Sequence, residues 1–91
     1  MELKEAVKKA KEYISDIFSE ENVKNIGLEE IEFDERNNLW KITIGFHRPW
    51  QERENLLSSF EKKLFRDYKV VTVDNETGEV KSVKNRELEN V

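Results

Sequence analysis

The sequence predicts an α+β domain: one N-terminal helix packed on a four-stranded antiparallel sheet, with a loop or short helix inserted between strands two and three. Three observations predict it. Apolar residues recur at helical spacing over residues 2–19, they alternate strictly over Leu39–His47, and two strand-like runs flank a glycine turn between Tyr68 and Val83. The chain has 91 residues, which makes one domain without repeats or linkers. A chain of this size buries roughly 65% of its unfolded surface. That is enough for one core and leaves little room for a deep active-site cleft. Charged residues make up 40% and hydrophobic residues 36%, a balance close to that of disordered chains. The five Phe, two Trp and two Tyr sit inside patterned segments, and this argues for a packed core.

Along residues 2–19, Leu3, Val7, Ala10, Ile14 and Ile17 form a stripe that Ala6, Tyr13 and Phe18 widen. Lys4, Glu5, Lys8, Lys11 and Glu12 fill the other face. The stripe is a core face. Asn25 and Gly27 are expected to take the left-handed conformation that ends the helical segment, and Val23 and Ile26 to tuck under the core edge. Glu30–Asp34 alternates, with Ile31 and Phe33 on one side and acids on the other; residues 34–38 form a polar turn. In the second strand Trp40, Ile42, Ile44 and Phe46 face the core, and Lys41, Thr43, Gly45 and His47 face away. Nine strand residues at ~3.3 Å each span ~30 Å, so one helix can lie along this strand. Pro49 ends the strand. Trp50, Leu56, Leu57, Phe60 and Leu64 have the spacing of a short amphipathic helix, and the region is expected to be a partly helical insertion. The third strand starts near residues 64–67 and runs to Asp74; the fourth runs from Glu79 to about Glu87. Gly78 closes the turn between them with φ > 0. The tail after Arg86 is expected to fray.

Chemistry is sparse. There is no cysteine, hence no disulfide framework, thiolate nucleophile or zinc–thiolate site. His47 is the single histidine, so a two-histidine metal site within one chain is excluded. It lies at a strand end facing away from the core, without an orienting partner for acid–base work. Ser58 and Ser59 have no identifiable base beside them. Asp74–Glu79 carries the acids of a calcium loop in the wrong order. Its glycine comes one position early, and residue 85, the twelfth, is Asn rather than a bidentate Glu. Three glycines form no phosphate-cradling loop. No cofactor, metal or catalytic residue is expected. The first residues, Met1–Lys9, are charged throughout, with no apolar h-region, and no run approaches the ~20 residues of a membrane span. The expected location is the cytoplasm.

Two segments carry charge that a partner could read. Glu12–Glu35 holds nine acids against Lys24 alone, either a solvated surface that protects an edge strand or a docking patch for a basic partner centred on Glu29, Glu30 and Glu32. Arg48–Lys69 has six bases and four acids interleaved with Trp50, Phe60 and Phe65. This is a weak nucleic-acid pattern through Arg53, Lys62, Lys63 and Arg66, set against a net charge of −4 that disfavours nucleic acid. The Trp50 region also suits an apolar contact with a protein partner or a second copy of the chain.

Tyr68-Lys-Val-Val-Thr-Val-Asp74 followed by Thr77-Gly-Glu-Val80 resembles the closing hairpin of PepSY-type domains. The helix leading to Trp40-Lys-Ile-Thr-Ile44 is a looser match to the same cystatin-like architecture. The resemblance implies a small non-catalytic binding or regulatory module; such domains have been suggested to restrain peptidases. The chain departs from those domains in its expected lack of an export signal and in the longer Arg48–Lys63 insertion, and no functional residue carries over. The function expected is therefore that of a non-enzymatic protein-interaction module, monomeric or weakly dimeric. Its candidate contacts are Lys41, Thr43, His47, Arg48, Trp50, Arg53 and Phe60. The alternative is an acidic, immunity-like or inhibitory protein that binds a basic partner through Glu29, Glu30 and Glu32.

Overall fold

The computed structural model describes residues 1–48 and 67–86. Among them, helix α1 (Leu3–Ile17) and a 3-10 turn (Ser19–Glu21) precede strands β1 (Lys24–Asp34), β2 (Leu39–His47), β3 (Asp67–Asp74) and β4 (Val80–Asn85). The strands lie in chain order, each antiparallel to its neighbour. The result is the expected α+β architecture, one helix on one face of an open antiparallel sheet. The insertion from residue 49 to 66, with Trp50, Arg53 and Phe60, and the tail after Arg86 lie outside the described residues.

The helix packs through a narrower row than the sequence predicts. Ala6, Ala10 and Ile14 are fully buried, whereas Leu3 and Ile17 are nearly half exposed. The buried residues follow an i, i+4 row, which runs along one side of a helix. Two alanines in that row let the backbone approach the sheet closely. Leu3 and Ile17 lie at the two ends of the helix, away from the middle of this row. Phe18 caps the helix, its N–H reaching Ile14 O at 3.1 Å. Asn22, at φ 49°, ends the 3-10 turn. Asn25 is left-handed as expected, at φ 57°, but it lies within β1 and does not terminate the helix. Gly27 has no positive φ; Gly78 is the described glycine that does.

β1 begins six residues earlier than its alternation indicates, at Lys24 rather than Glu30. Register shifts at Lys24/Gly27 and Leu28/Glu30 bend this early part, and each inserted residue breaks the period of two that reveals a strand. β2 is central, and all of Ile42–Phe46 is buried. Ile42, Ile44 and Phe46 meet Val71, Val73 and the helix row to form the core. Burying each such side chain contributes roughly 1.5–3 kcal/mol.

Polar contacts tie the two hairpin turns together. Asn75 is their hub. Its N–H donates to Asn38 O at 3.0 Å, and its Nδ2 donates to Asn38 Oδ1 at 3.0 Å. Its Oδ1 accepts the Trp40 indole N–H at 2.9 Å, and its carbonyl accepts the Met1 ammonium at 3.1 Å. Within the β3–β4 turn, Asp74 Oδ1 accepts the N–H groups of Glu76 and Thr77 at 2.8 and 3.0 Å. Gly78 N–H reaches Asp74 O at 2.9 Å with φ +75°.

Candidate functional site

The helix occupies one face of the sheet, and the other face is the candidate site. Cross-strand partners point to the same side of a sheet, so register alone assigns its residues. One row runs Glu30, Thr43, Val70, Lys84; the next runs Glu32, Lys41, Thr72, Ser82. Arg86 follows two positions beyond Lys84, with its backbone N–H on Tyr68 O at 3.3 Å. These residues surround two adjoining depressions. One, of about 170 Å³, is lined by Glu30, Glu32, Lys41, Thr43, Val70 and Arg86. The other shares Lys41 and Val70 and continues over Thr72 and Ser82 to Lys84 and Asn85.

Two groups of candidate residues, drawn from different parts of the sequence, are therefore brought together. Glu30 and Glu32 from the acidic stretch stand directly opposite Thr43 and Lys41. Thr43 does not project into solvent as expected. It is only 5% exposed, because a short side chain on the central strand lies between Glu30 and Val70, and it floors the depression. Lys41 is exposed and paired with Asp34 at 3.8 Å. Val70 and Arg86 were not anticipated. The adjacent valines 70 and 71 carry the missing signal, since in a strand one of two neighbours must face away from the core.

Apart from Lys41, which stands beside the acids on β2, the charges on this face are segregated. Glu30, Glu32 and Asp34 line the β1 edge; Lys84 and Arg86 line the β4 edge. Glu30, Glu32, Lys84 and Arg86 have no ion-pair partner among the described residues. The Arg86 guanidinium lies over the Tyr68 ring, 4.0 Å from its centroid, and its Nε is buried without a hydrogen-bond partner among the described residues. Between the edges the floor is largely uncharged: Thr43, Val70, Thr72 and Ser82. Ser82 Oγ bonds Thr72 Oγ1 at 3.1 Å.

The remaining candidates fall elsewhere. His47 is half-buried at the end of β2, where the Asn25 side-chain amide meets its Nδ1 at 2.9 Å. With that amide donating, the neutral ring keeps its proton on Nε2. Glu29 lies at the register shift of β1, outside the cross-strand row formed by Glu30. Arg48 serves the chain's own packing. Its Nη1 meets Glu21 Oε1 at 2.6 Å and its Nε lies 2.7 Å from Asp67 Oδ2. The second contact is electrostatic, without an aligned hydrogen bond. The guanidinium also lies 5.2 Å from the Phe18 ring centroid and 5.7 Å from that of Phe46, closing that end of the core. Lys69, also from the basic segment, bonds Asn85 and lies over Phe18.

The two carboxylates with displaced titration are in turns. The Asn37 side-chain amide, then the Asn37 backbone N–H, holds Asp34 below its ordinary value of 3.8. The backbone N–H groups of Thr77 and then Glu76 do the same for Asp74. Both serve turn geometry. Among the described residues no group of three or more His, Asp or Glu side chains is arranged to hold a metal ion, and no helix is long and apolar enough to cross a membrane. No family model, curated protein or solved structure matches the chain.

Proposed function

We propose that this chain is a small non-catalytic protein-interaction module that works through the outer face of its sheet. The observation that carries the reading is the floor of Thr43, Val70, Thr72 and Ser82, with Lys41 as its one charged member, set between an acidic β1 edge and a basic β4 edge. A flat, open floor rimmed by charges suits a protein surface better than a small substrate, which needs an enclosing cleft. Rim charges give such a contact its register and association rate more than its affinity. The resemblance of the Tyr68–Val80 hairpin to PepSY-type domains supports the non-catalytic part of the reading.

A photo-cross-linking residue at Thr72, on the floor, tests it against the same residue at Ser15, on the exposed side of α1. Thr72 is expected to give a discrete adduct in the native lysate, and Ser15 none. Equal or absent cross-linking from the two positions counts against the outer face.

A second reading keeps the same face and uses only its acidic edge. Glu30, Glu32 and Asp34 are on one side of the edge strand β1, which favours a basic partner. In that case reversal of Glu30 and Glu32 to lysine abolishes the Thr72 adduct, while reversal of Lys84 leaves it intact.

A further inference from the structure

We infer that the partner on the outer sheet face is a second copy of this chain, paired face to face about a twofold axis parallel to the strands. This inference rests on the reading of the outer face as the working surface and names its occupant. It comes from the order of charges across the sheet. β1 carries Glu30 and Glu32, β4 carries Lys84 and is followed by Arg86, and none of the four is ion-paired among the described residues. The backbones of Glu30 and Lys84 lie three strand spacings apart, ~14 Å at ~4.8 Å each, too far for these two side chains to pair within one face, whereas Arg86 borders the same depression as Glu30 and Glu32.

A twofold axis along the strands and midway between β2 and β3 reverses the order of strands while keeping each residue at its own level. β1 of one copy then lies over β4 of the other. Glu30 and Lys84 are on the same cross-strand row, through Thr43 and Val70. Glu30 of each copy therefore meets Lys84 of the other, and the contact occurs twice, as isologous symmetry requires. The other face-to-face twofold, with its axis across the strands, lays β1 on β1 and sets the acids against each other. Charge thus selects one orientation of the two. The floor residues meet in the middle, where aligned sheets pack ~10 Å apart. Four strands of six to eleven residues offer less than the roughly 800 Å² per partner of a standard interface. The association is therefore weak, and because its selective contacts are rim charges it is sensitive to salt.

Sedimentation equilibrium of the full chain, from about 10 µM to about 1 mM, reads this directly. In low salt the mean mass is expected to climb toward that of a dimer, and in about 1 M NaCl, where the Debye length is ~3 Å, to fall back. E30K/E32K and, separately, K84E are each expected to weaken self-association about tenfold, because each turns the two symmetry-related Glu30–Lys84 attractions into repulsions, Glu32 lying at the level of Ser82. An equimolar mixture of the two variants should form the dimer again. K84E changes an exposed residue and leaves the Arg86–Tyr68 stack intact. K4E/K11E, on the solvent face of α1, lowers the net charge further than K84E and should leave the dimer unchanged. A chain that stays monomeric at about 1 mM in low salt overturns the inference, as does equal weakening by K4E/K11E or failure of the mixture to associate. If the chain is monomeric but Thr72 still cross-links a different protein, the interaction reading survives and self-pairing alone is refuted. If Thr72 captures nothing, both fall.

Discussion

Replacing Asn75 by alanine removes the side chain that joins the two hairpin turns, and the structure sets the size of the effect. Two side-chain hydrogen bonds are lost, the one from the Trp40 indole at 2.9 Å and the one to Asn38 Oδ1 at 3.0 Å. Each contributes about 0.5–1.5 kcal/mol net, and a half-buried donor left unsatisfied costs about 1–3 kcal/mol. The backbone bonds of residue 75 to Asn38 and Met1 survive. The expected loss is about 2–3 kcal/mol, out of about 5–13 kcal/mol for a chain of this length. With a urea m-value of about 1 kcal/mol per molar, the midpoint should move down by about 2–3 M. Urea titration followed by far-UV circular dichroism measures it, and tryptophan emission should show Trp40 more solvated in the variant. Asn75→Asp keeps the acceptor for Trp40 and loses the donor to Asn38, so it should cost about half as much. A loss below about 0.5 kcal/mol for Asn75→Ala, the range of an inert surface change, would refute the reasoning that this side chain couples the turns.

Gly78→Ala should destabilise the chain by about 1–2 kcal/mol in the same assay, because an L-residue is strained at φ +75°. The new Cβ would also lie 2.6 Å from Met1 Cε, a clash that a flexible side-chain end can relieve. Phe46→Ala opens a cavity beneath Phe18 and should cost about 3–5 kcal/mol, leaving a chain close to unfolded by thermal denaturation. Acid should weaken the fold through Asp34 and Asp74. Both have folded-state pKa values below the ordinary 3.8, so their contribution is present above about pH 4 and is lost as the pH falls through the lowered values. Urea midpoints taken from about pH 5 to pH 2.5 should fall, and D34N/D74N should flatten that slope; an identical slope in the double variant contradicts the assignment.

The strands that alternate cleanly were legible in the sequence. β2 runs over Leu39–His47 as its alternation predicts, and the β3–β4 turn has its left-handed glycine at residue 78. Other features were hidden for definite physical reasons. The start of β1 was missed because the register shifts around Gly27 and Leu28 erase the period of two. The helix stripe was drawn too wide, since hydrophobicity marks every residue that can be buried, while contact with a sheet is made by one i, i+4 row. The outer face was half legible. Lys41, Thr43 and the acids of β1 each stood out, but their adjacency is a matter of strand register. Arg86 falls inside the fourth strand expected from Glu79 to about Glu87, next to the tail, and nothing in its sequence neighbourhood sets it beside Tyr68. Only pairing β4 beside β3 brings Arg86 onto Tyr68 and the basic edge opposite the acidic one.

The outer face can be tested most directly by chemical-shift mapping of the isotopically labelled chain, titrated with unlabelled copies of itself and, separately, with any protein captured through Thr72. The amides that move are expected to cluster at Glu30, Glu32, Lys41, Thr72 and Lys84. Shifts confined to Lys4, Lys8 and Lys11 on the solvent side of α1, with the outer sheet residues unmoved, would contradict the account.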